Sequence, residues 1–522
     1  MSSNSPILSA ETDPFIQLEL EKQPLHTASP RSILRSLLLN ILHFRPFRGL
    51  TFLASLHFLL PSFLQRSHGP PQHQMSTAWL DGMRGWASFF VYIRHFASAT
   101  HENIQVGYGR DADNKWLIQL PFLRLLVGGP AMVSLFFIIS GYALSWAPLK
   151  QLHGKGGAEG ALLRLSSATF RRAARLFLPA VVSTFIVACC VVLGLYDRGH
   201  AAVNHNDMPG FWEPEPPQYR DDPWYVQFQD WFWETWGFLK VWSPGGTSYD
   251  VHLWTLPVEF RCSIILFIAL VGFARCRALL RAVMLFGMIV YCHYTDFWQG
   301  WLFFAGSFLA QLKFIQEESN APASATVLPT DAGQVPAPST PSTKTRSWAD
   351  MLRLSLFVLG LYLLSAPDYG HASSAPGYMT LAAHFTPANW PESWRVLHCY
   401  GGFLCVYAAS STSTPFLRYL FSNPLSRYLG NISYALYLVH GPVVHMLGFW
   451  LVPWMWTHVI GRPEGTGAPG EMGMWGKELG FGYAFVIVTG VTVWGADLFW
   501  RGVDVKCVQL AKWVEGLMVE KR

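Results

Sequence analysis

Residues Trp79–Thr100 read WLDGMRGWASFFVYIRHFASAT. Most of this stretch is apolar enough to enter a membrane, yet it carries Arg84, Arg94 and His95. Arg84 and His95 are eleven positions apart. At about 100° per residue that is about 20° beyond three full turns, so one helix face carries both. At ~1.5 Å per residue they stand ~16 Å apart, about half the hydrocarbon thickness. Two readings fit. Arg84 snorkels to the headgroups while His95 hydrogen-bonds inside a bundle, or a polar passage runs along this face, because ionisable groups inside spans are costly and mark function.

Composition sets the class. Of 522 residues, 51% are hydrophobic, 15% aromatic and only 14% charged, whereas soluble proteins carry about a quarter charged residues. The chain therefore reads as an all-α, polytopic membrane helix bundle embedded in a lipid bilayer. The net charge of +5 is small, and no basic run interleaved with aromatics suggests a nucleic-acid partner. None of the eight cysteines forms a CxxC pair, which argues against a zinc site or a disulfide framework; no metal is expected. Cys292 and Cys399 could both lie near the outer surface, which leaves a bridge between them open but not expected. The polar N-terminus lacks a cleavable signal pattern, so the first membrane helix is expected to serve as signal.

Length and hydropathy place about ten spans, at 79–100, 124–147, 174–195, 252–273, 279–294, 297–314, 349–366, 394–411, 428–452 and 478–500. Charge tests this count. Residues 147–175 hold Lys150, Lys155, Arg164, Arg171, Arg172 and Arg175 against Glu159 alone, while residues 196–250 hold nine acids against Arg198, Arg220 and Lys240. Basic clusters recur at every second loop: Arg275, Arg277 and Arg281, then Arg418 and Arg427, then Arg501, Lys506 and Lys512. The positive-inside rule puts these loops and both termini in the cytosol. The organelle, ER or plasma membrane, is left open.

Six segments follow: a disordered cytosolic tail (1–33), an interfacial or re-entrant segment (34–78), a core of six spans (79–314), a flexible Ala/Pro/Ser/Thr-rich linker (315–347), four further spans (348–500) and a cytosolic tail (501–522). Within the first core, loop 196–250 contains WFWETWGFLKVW and six tryptophans. It reads as an interfacial anchor, or as a wall for an acceptor with rings or sugars.

Several residues stand out for chemistry. Arg172 and Arg175 are three apart and share a helix face, and with Arg84 and Arg171 they suit an anion with several phosphates; setting topology is the plainer role. Glu259 lies in VHLWTLPVEF, which begins the fourth span, and His440 lies in ISYALYLVHGP. Both fall at depths resembling that of His95, where a carboxylate would orient an imidazole and raise its basicity. Ser140-Gly141 in LFFIISGYALSW permits close backbone approach.

Together, LDGMRGWASFFVYIRH, FFIISGYALS, RRAARLFLPA, LWTLPVEF and ISYALYLVHGP, in that order over about residues 79–500, resemble the acyltransferase-3 family of integral membrane O-acyltransferases. The resemblance implies a ten-helix core and an acyl-CoA donor. Its arginine, ten intervening residues and histidine match Arg84 and His95, making His95 the implied catalytic histidine. Its SGY and RRxxR-like elements match Ser140, Gly141, Arg171, Arg172 and Arg175, and its WxLxxE element matches Trp254 and Glu259. Pro257 within the last motif and Arg94 beside His95 depart from the pattern, as do the linker and the tryptophan-rich loop.

The resulting expectation is transfer of an acyl group, acetyl foremost, from acyl-CoA (acetyl-CoA) to a hydroxyl of a glycan, lipid or small metabolite. Arg84, Ser140, Arg171, Arg172 and Arg175 would bind the donor. His95 would be the general base with Glu259 holding its tautomer, and Trp254, Tyr434 and His440 would face the acceptor. A multi-span transporter or proton-coupled carrier is the rival class, since buried His and Glu would suit it too.

Overall fold

Helices account for the architecture, and the elements follow the apolar segments of the chain. The computed structural model describes residues 58–65, 77–204, 208–210, 214–243, 245–320, 348–411, 414–461 and 473–518. Sixteen α-helices are used below, numbered in chain order. They are α1 (Ala78–Ser98), α2 (Gly129–His153), α3 (Gly157–Val192), α4 (Asp197–Asn204), α5 (Trp224–Phe238), α6 (Thr255–Phe273), α7 (Ala278–Tyr294), α8 (Trp298–Ser319), α9 (Trp348–Leu364), α10 (Met379–Phe385), α11 (Ser393–Ala409), α12 (Pro415–Ser422), α13 (Pro424–Val443), α14 (Phe449–Met455), α15 (Gly473–Phe499) and α16 (Val505–Met518). No strand occurs among the described residues.

Five helical stretches are long and apolar enough to cross a membrane: α2, α3, Val251–Phe273, Pro424–Ile460 and Gly473–Met518. Helix α7 is apolar but shorter. Helices α1, α7, α8, α9 and α11 fall where the other expected spans lie. Large apolar side chains point outward from several of these helices, among them Ile268, Leu279, Val283 and Val486. In water such a belt would be costly; in lipid it is the ordinary exterior. The chain is a multi-pass, all-α membrane protein.

Close backbone approach sets the helix crossings. A Cβ added at Gly141 of α2 would stand 2.1 Å from the Phe303 carbonyl oxygen of α8, and one at Gly306 of α8 would stand 2.1 Å from that of Ile138. The SGY stretch is therefore a small-residue contact in which any side chain would collide with backbone. The core around it is made of Phe137, Ile138, Ile139, Tyr142, Leu302, Phe303 and Phe304.

Some expected boundaries move. Most of the basic residues before the third span are not in a loop: α3 is one 36-residue helix that carries Arg164, Arg171, Arg172 and Arg175 between its start and its middle, and only Lys155 lies in the turn before it. Helix α8 runs on to Ser319, so the expected linker 315–347 starts later, and residues 321–347 lie outside the described residues, as does the expected tail 1–33. The expected tail 501–522 begins instead as helix, passing through a π-helical turn at Trp500–Asp504 into α16. Of the expected interfacial segment 34–78, only 58–65, 77 and 78 are described. There Trp494 Nε1 donates to the Leu59 carbonyl (2.8 Å) and Ser62 Oγ to Asp497 Oδ2 (2.5 Å), which docks the segment on α15. All eight cysteines are free, so Cys292 and Cys399 are not bridged.

Candidate active site

Helix α1 lies along α13, and glycines let it. A Cβ at Gly85 would come within 2.4 Å of the Gly430 nitrogen, and one at Gly430 within 2.6 Å of the Asp81 carbonyl oxygen. This approach brings the polar face of α1 onto α13. Arg84 Nε donates to Ser433 Oγ (2.9 Å), and its Nη2 reaches Asp81 Oδ1 at 3.1 Å. Ser88 Oγ donates to the Ser433 carbonyl at 2.8 Å. Further along the same face, the His95 ring is 5.3 Å from that of His440, centroid to centroid.

A third imidazole completes the cluster. His252 sits in a 3₁₀ turn, Val251–Trp254, that leads into α6. Its ring meets that of His95 edge-on at 3.9 Å and 89°, and that of His440 at 4.8 Å. Asp250 caps the turn: its Oδ1 accepts from the His252 backbone N–H (3.0 Å) and from His252 Nδ1 (2.8 Å). The latter bond makes Nδ1 the protonated nitrogen of neutral His252 and leaves the lone pair on Nε2. His440 Nδ1 lies 3.1 Å from the Leu436 carbonyl, and a carbonyl only accepts, so its lone pair is on Nε2 as well. Gly441 explains the HGP motif. A Cβ there would stand 2.9 Å from His252 Nδ1 and 3.2 Å from Asp250 Oδ1. Tyr437 shares the His440 face one turn earlier; its hydroxyl donates to the His252 carbonyl and exchanges a 2.7 Å hydrogen bond with Thr255 Oγ1.

The aromatic loop buttresses this turn. Glu234 Oε2 on α5 accepts from both the backbone N–H and the hydroxyl of Ser248 (3.1 Å each). Tyr249, fully buried, donates to Asp230 Oδ2 at 2.9 Å and accepts from Gln227 Nε2 at 2.7 Å. Burial pushes its hydroxyl well above the ordinary tyrosine range, so it remains a neutral donor. Trp231 Nε1 bonds Thr184 Oγ1 of α3 (3.1 Å), while Trp224, Trp233, Trp236 and Trp242 point outward. The loop therefore both anchors at an apolar exterior and holds Asp250 and His252 in place.

The arginines gather at the other end of α1. Arg172 Nη2 donates to Glu259 Oε1 (2.7 Å) and its Nε to Ser263 Oγ (3.0 Å). Ser140 Oγ donates to the same Glu259 oxygen at 3.1 Å. Arg175 is within electrostatic reach of Arg84, Arg172, Asp504 and Glu259. Arg171 turns aside, with Nε 2.9 Å from Glu515 Oε2 of α16.

A cavity of about 430 Å³ opens at the histidine end. Val91, Arg94, His95 and Ser98 of α1 line it, with Trp254, Trp298, Tyr369, Trp394 and Arg395 among the facing residues. None of its lining residues belongs to the arginine group.

The structure thus sorts the expected residues into two groups. His95 and His440 come together, and Trp254 walls the cavity beside His95. Arg84, Ser140, Arg172, Arg175 and Glu259 form the other group. Glu259 bonds Arg172 and Ser140 rather than meeting His95, and Asp250 with His252 occupies the place expected of it. Tyr434 also belongs to the arginine end, where its hydroxyl donates to the Leu176 carbonyl at 2.5 Å. Sequence reading missed His252, Asp250 and Tyr437. The signals were there: an Asp-x-His immediately before LWTLPVEF, and a tyrosine three before His440.

The three histidines also offer ligands to a divalent cation, since their nitrogens lie within 4.8 Å of one another. Two imidazoles sharing a tetrahedral ion at ~2.0–2.1 Å stand with centroids about 5 Å apart. The pairs at 4.8 and 5.3 Å suit that, and the His95–His252 pair at 3.9 Å is closer than an ion would hold it.

Comparison with known proteins gives the family. The profile of a family described as "Acyltransferase domain" (Acyl_transf_3) matches residues 77–501. The chain is 32% identical to O-acetyltransferase PaAT-1 of Phomopsis amygdali over 88% of each chain. It is 25% identical to Acyltransferase clz18 of Cochliobolus lunatus over 84% of this chain and 97% of that one. No solved structure matches it. With a motif set in order, an all-helical membrane fold and a profile that covers most of its length, the chain belongs to the acyltransferase-3 family.

Proposed function

We propose that this acyltransferase moves an acyl group, acetyl foremost, from acyl-CoA to a hydroxyl, with His95 as general base. The observation that carries this reading is the position of His95. It lines the cavity and has an imidazole edge-on against it, itself hydrogen-bonded to a buried carboxylate. In the proposed step His95 takes the proton of the acceptor hydroxyl as its oxygen attacks the thioester carbonyl. The tetrahedral intermediate then collapses, and the imidazolium returns the proton to the departing CoA sulfur. His252 and Asp250 act as positioning residues that favour the charged form of the cluster. The phosphates of CoA are assigned to Arg84, Arg172 and Arg175, with the pantetheine arm running between helices toward His95. The positive-inside bias then puts the arginine end on the cytosolic side. The name of the 32% identical relative supports acetyl transfer to oxygen.

Asp250→Asn tests the relay. The amide keeps the shape of the carboxylate and removes its charge. The expected result is a fall in kcat of about ten-fold or more, with donor binding unchanged and a pH–rate profile moved to lower pH, because an imidazolium without its countercharge gives up its proton more readily and the general base is free at lower pH. Transfer should also survive 1,10-phenanthroline. Inhibition reversed by added zinc would reassign the three histidines to a metal.

A further inference from the structure

The cavity at His95 contains two guanidinium groups, and no carboxylate is among the residues that line it. Arg94 is 8% exposed. Its Nη2 stands 4.0 Å from Asp368 Oδ2, too far for a hydrogen bond, and its Nη1 has no hydrogen-bond partner among the described residues. Asp368 is shared with Arg124, whose Nη2 is 3.6 Å away. Arg124 is otherwise satisfied by the carbonyls of Val106 and Gln105 (3.1 Å each). Arg94 is thus a buried cation leaning on a carboxylate that a second arginine already uses. Such a group is costly unless something pairs with it.

Arg395 faces the same space. Its guanidinium lies over the rings of Trp394 (5.3 Å) and Trp298 (5.8 Å). Its Nε is 3.7 Å from Glu392 Oε2, again beyond hydrogen-bond distance. Asp296 is within electrostatic reach of it. None of these acids lines the cavity, and Arg94 Nη1 and Arg395 Nε have no hydrogen-bond partner among the described residues, so N–H groups remain for a ligand. Much of the remaining wall is apolar, with Val91, Val133, Pro130 and Trp254, while Ser98 and Gln105 add neutral polar groups.

We infer that the acceptor carries a carboxylate, received by Arg94 and Arg395, on a compact apolar ring system that lies against the cavity's tryptophans. The planar fork of arginine matches a carboxylate, and the pairing is strong where water is excluded. Because Arg94 adjoins His95 on one helix, such a ligand would be held by its anion while a hydroxyl elsewhere on the ring meets the imidazole. This rests on the transferase reading given above, and its test separates the two.

The probes are trans-4-hydroxycyclohexanecarboxylate and its methyl ester, titrated by calorimetry into the full-length protein in lipid nanodiscs. The acid should bind about ten-fold more tightly than the ester. In Arg94→Gln and, separately, Arg395→Gln, the two should bind alike, with the far-ultraviolet dichroism of each variant unchanged. Equal binding of acid and ester to wild type overturns the inference. So does displacement of the acid by CoA, which would assign the two arginines to the donor's phosphates. Labelled acetyl-CoA is then supplied with the same pair. Acetyl transfer to the ester in preference to the acid contradicts the inference while the transferase reading stands. Arg94-dependent binding of the acid with no transfer to any hydroxyl, under conditions where acetyl-CoA binds, contradicts the transferase reading and leaves an anion site.

Discussion

His95→Ala should abolish transfer while leaving a folded protein that still binds its donor. Removal of a general base costs typically ~10²–10⁴-fold. His95 is only half-buried, at the wall of a cavity, so its loss adds space to an existing space rather than a void in a packed core. Its neighbours His252 and His440 keep the hydrogen bonds to Asp250 and Leu436 that orient them. The check is label transferred from acetyl-CoA to the hydroxylated small molecules of a cell extract, with thermal melting of the same preparations. A variant that transfers at the wild-type rate would remove His95 from the mechanism. One that also loses its melting transition would make it a structural residue.

Glu259→Ala should fail in a different way. Glu259 accepts from Arg172 and Ser140, and the Arg172 side chain is only 9% exposed. Removing the carboxylate leaves Arg172 buried beside Arg175 and Arg84 with its main countercharge gone. Breaking a buried pair in this way costs about 3–5 kcal/mol, toward the lower end here because a fifth of the Glu259 side chain is exposed. The expected outcome is a large drop in melting temperature and weakened donor binding. The kcat and pH profile of the surviving folded fraction should remain near those of wild type, because Glu259 does not touch the histidines. A selective loss of kcat with normal stability and donor binding would return Glu259 to the role that its place in the sequence first suggested.

That difference shows where sequence reading stops. The Arg84–His95 face was legible because an eleven-residue spacing on one helix fixes both angle and distance. The bundle was legible from apolar length and sparse charge. The depth of Glu259 was not. Counting from the start of the fourth span places it near the surface, level with His95. In the structure the chain before α6 is already inside the protein: Tyr249, Asp250, His252 and Leu253 are all buried. That inserted turn puts His252 level with His95, and Glu259, seven residues on, falls about 10 Å deeper, beside Arg172. Tyr434 and Tyr437 are separated by the same kind of offset. Three residues turn one toward Leu176 and the other toward His252. Side-chain partners across helices depend on such insertions, and periodicity within a single helix does not report them. The glycines of HGP and LDGMRGW were visible as letters, but what approaches them belongs to other helices.

The central claim is that a CoA thioester enters between an arginine group and His95, and its most direct test is acetyl-CoA binding to purified protein in nanodiscs. The account predicts saturable binding by wild type and by His95→Ala, and loss of binding in Arg84→Ala with folding retained. Well-folded wild-type protein that binds neither acetyl-CoA nor CoA would contradict it.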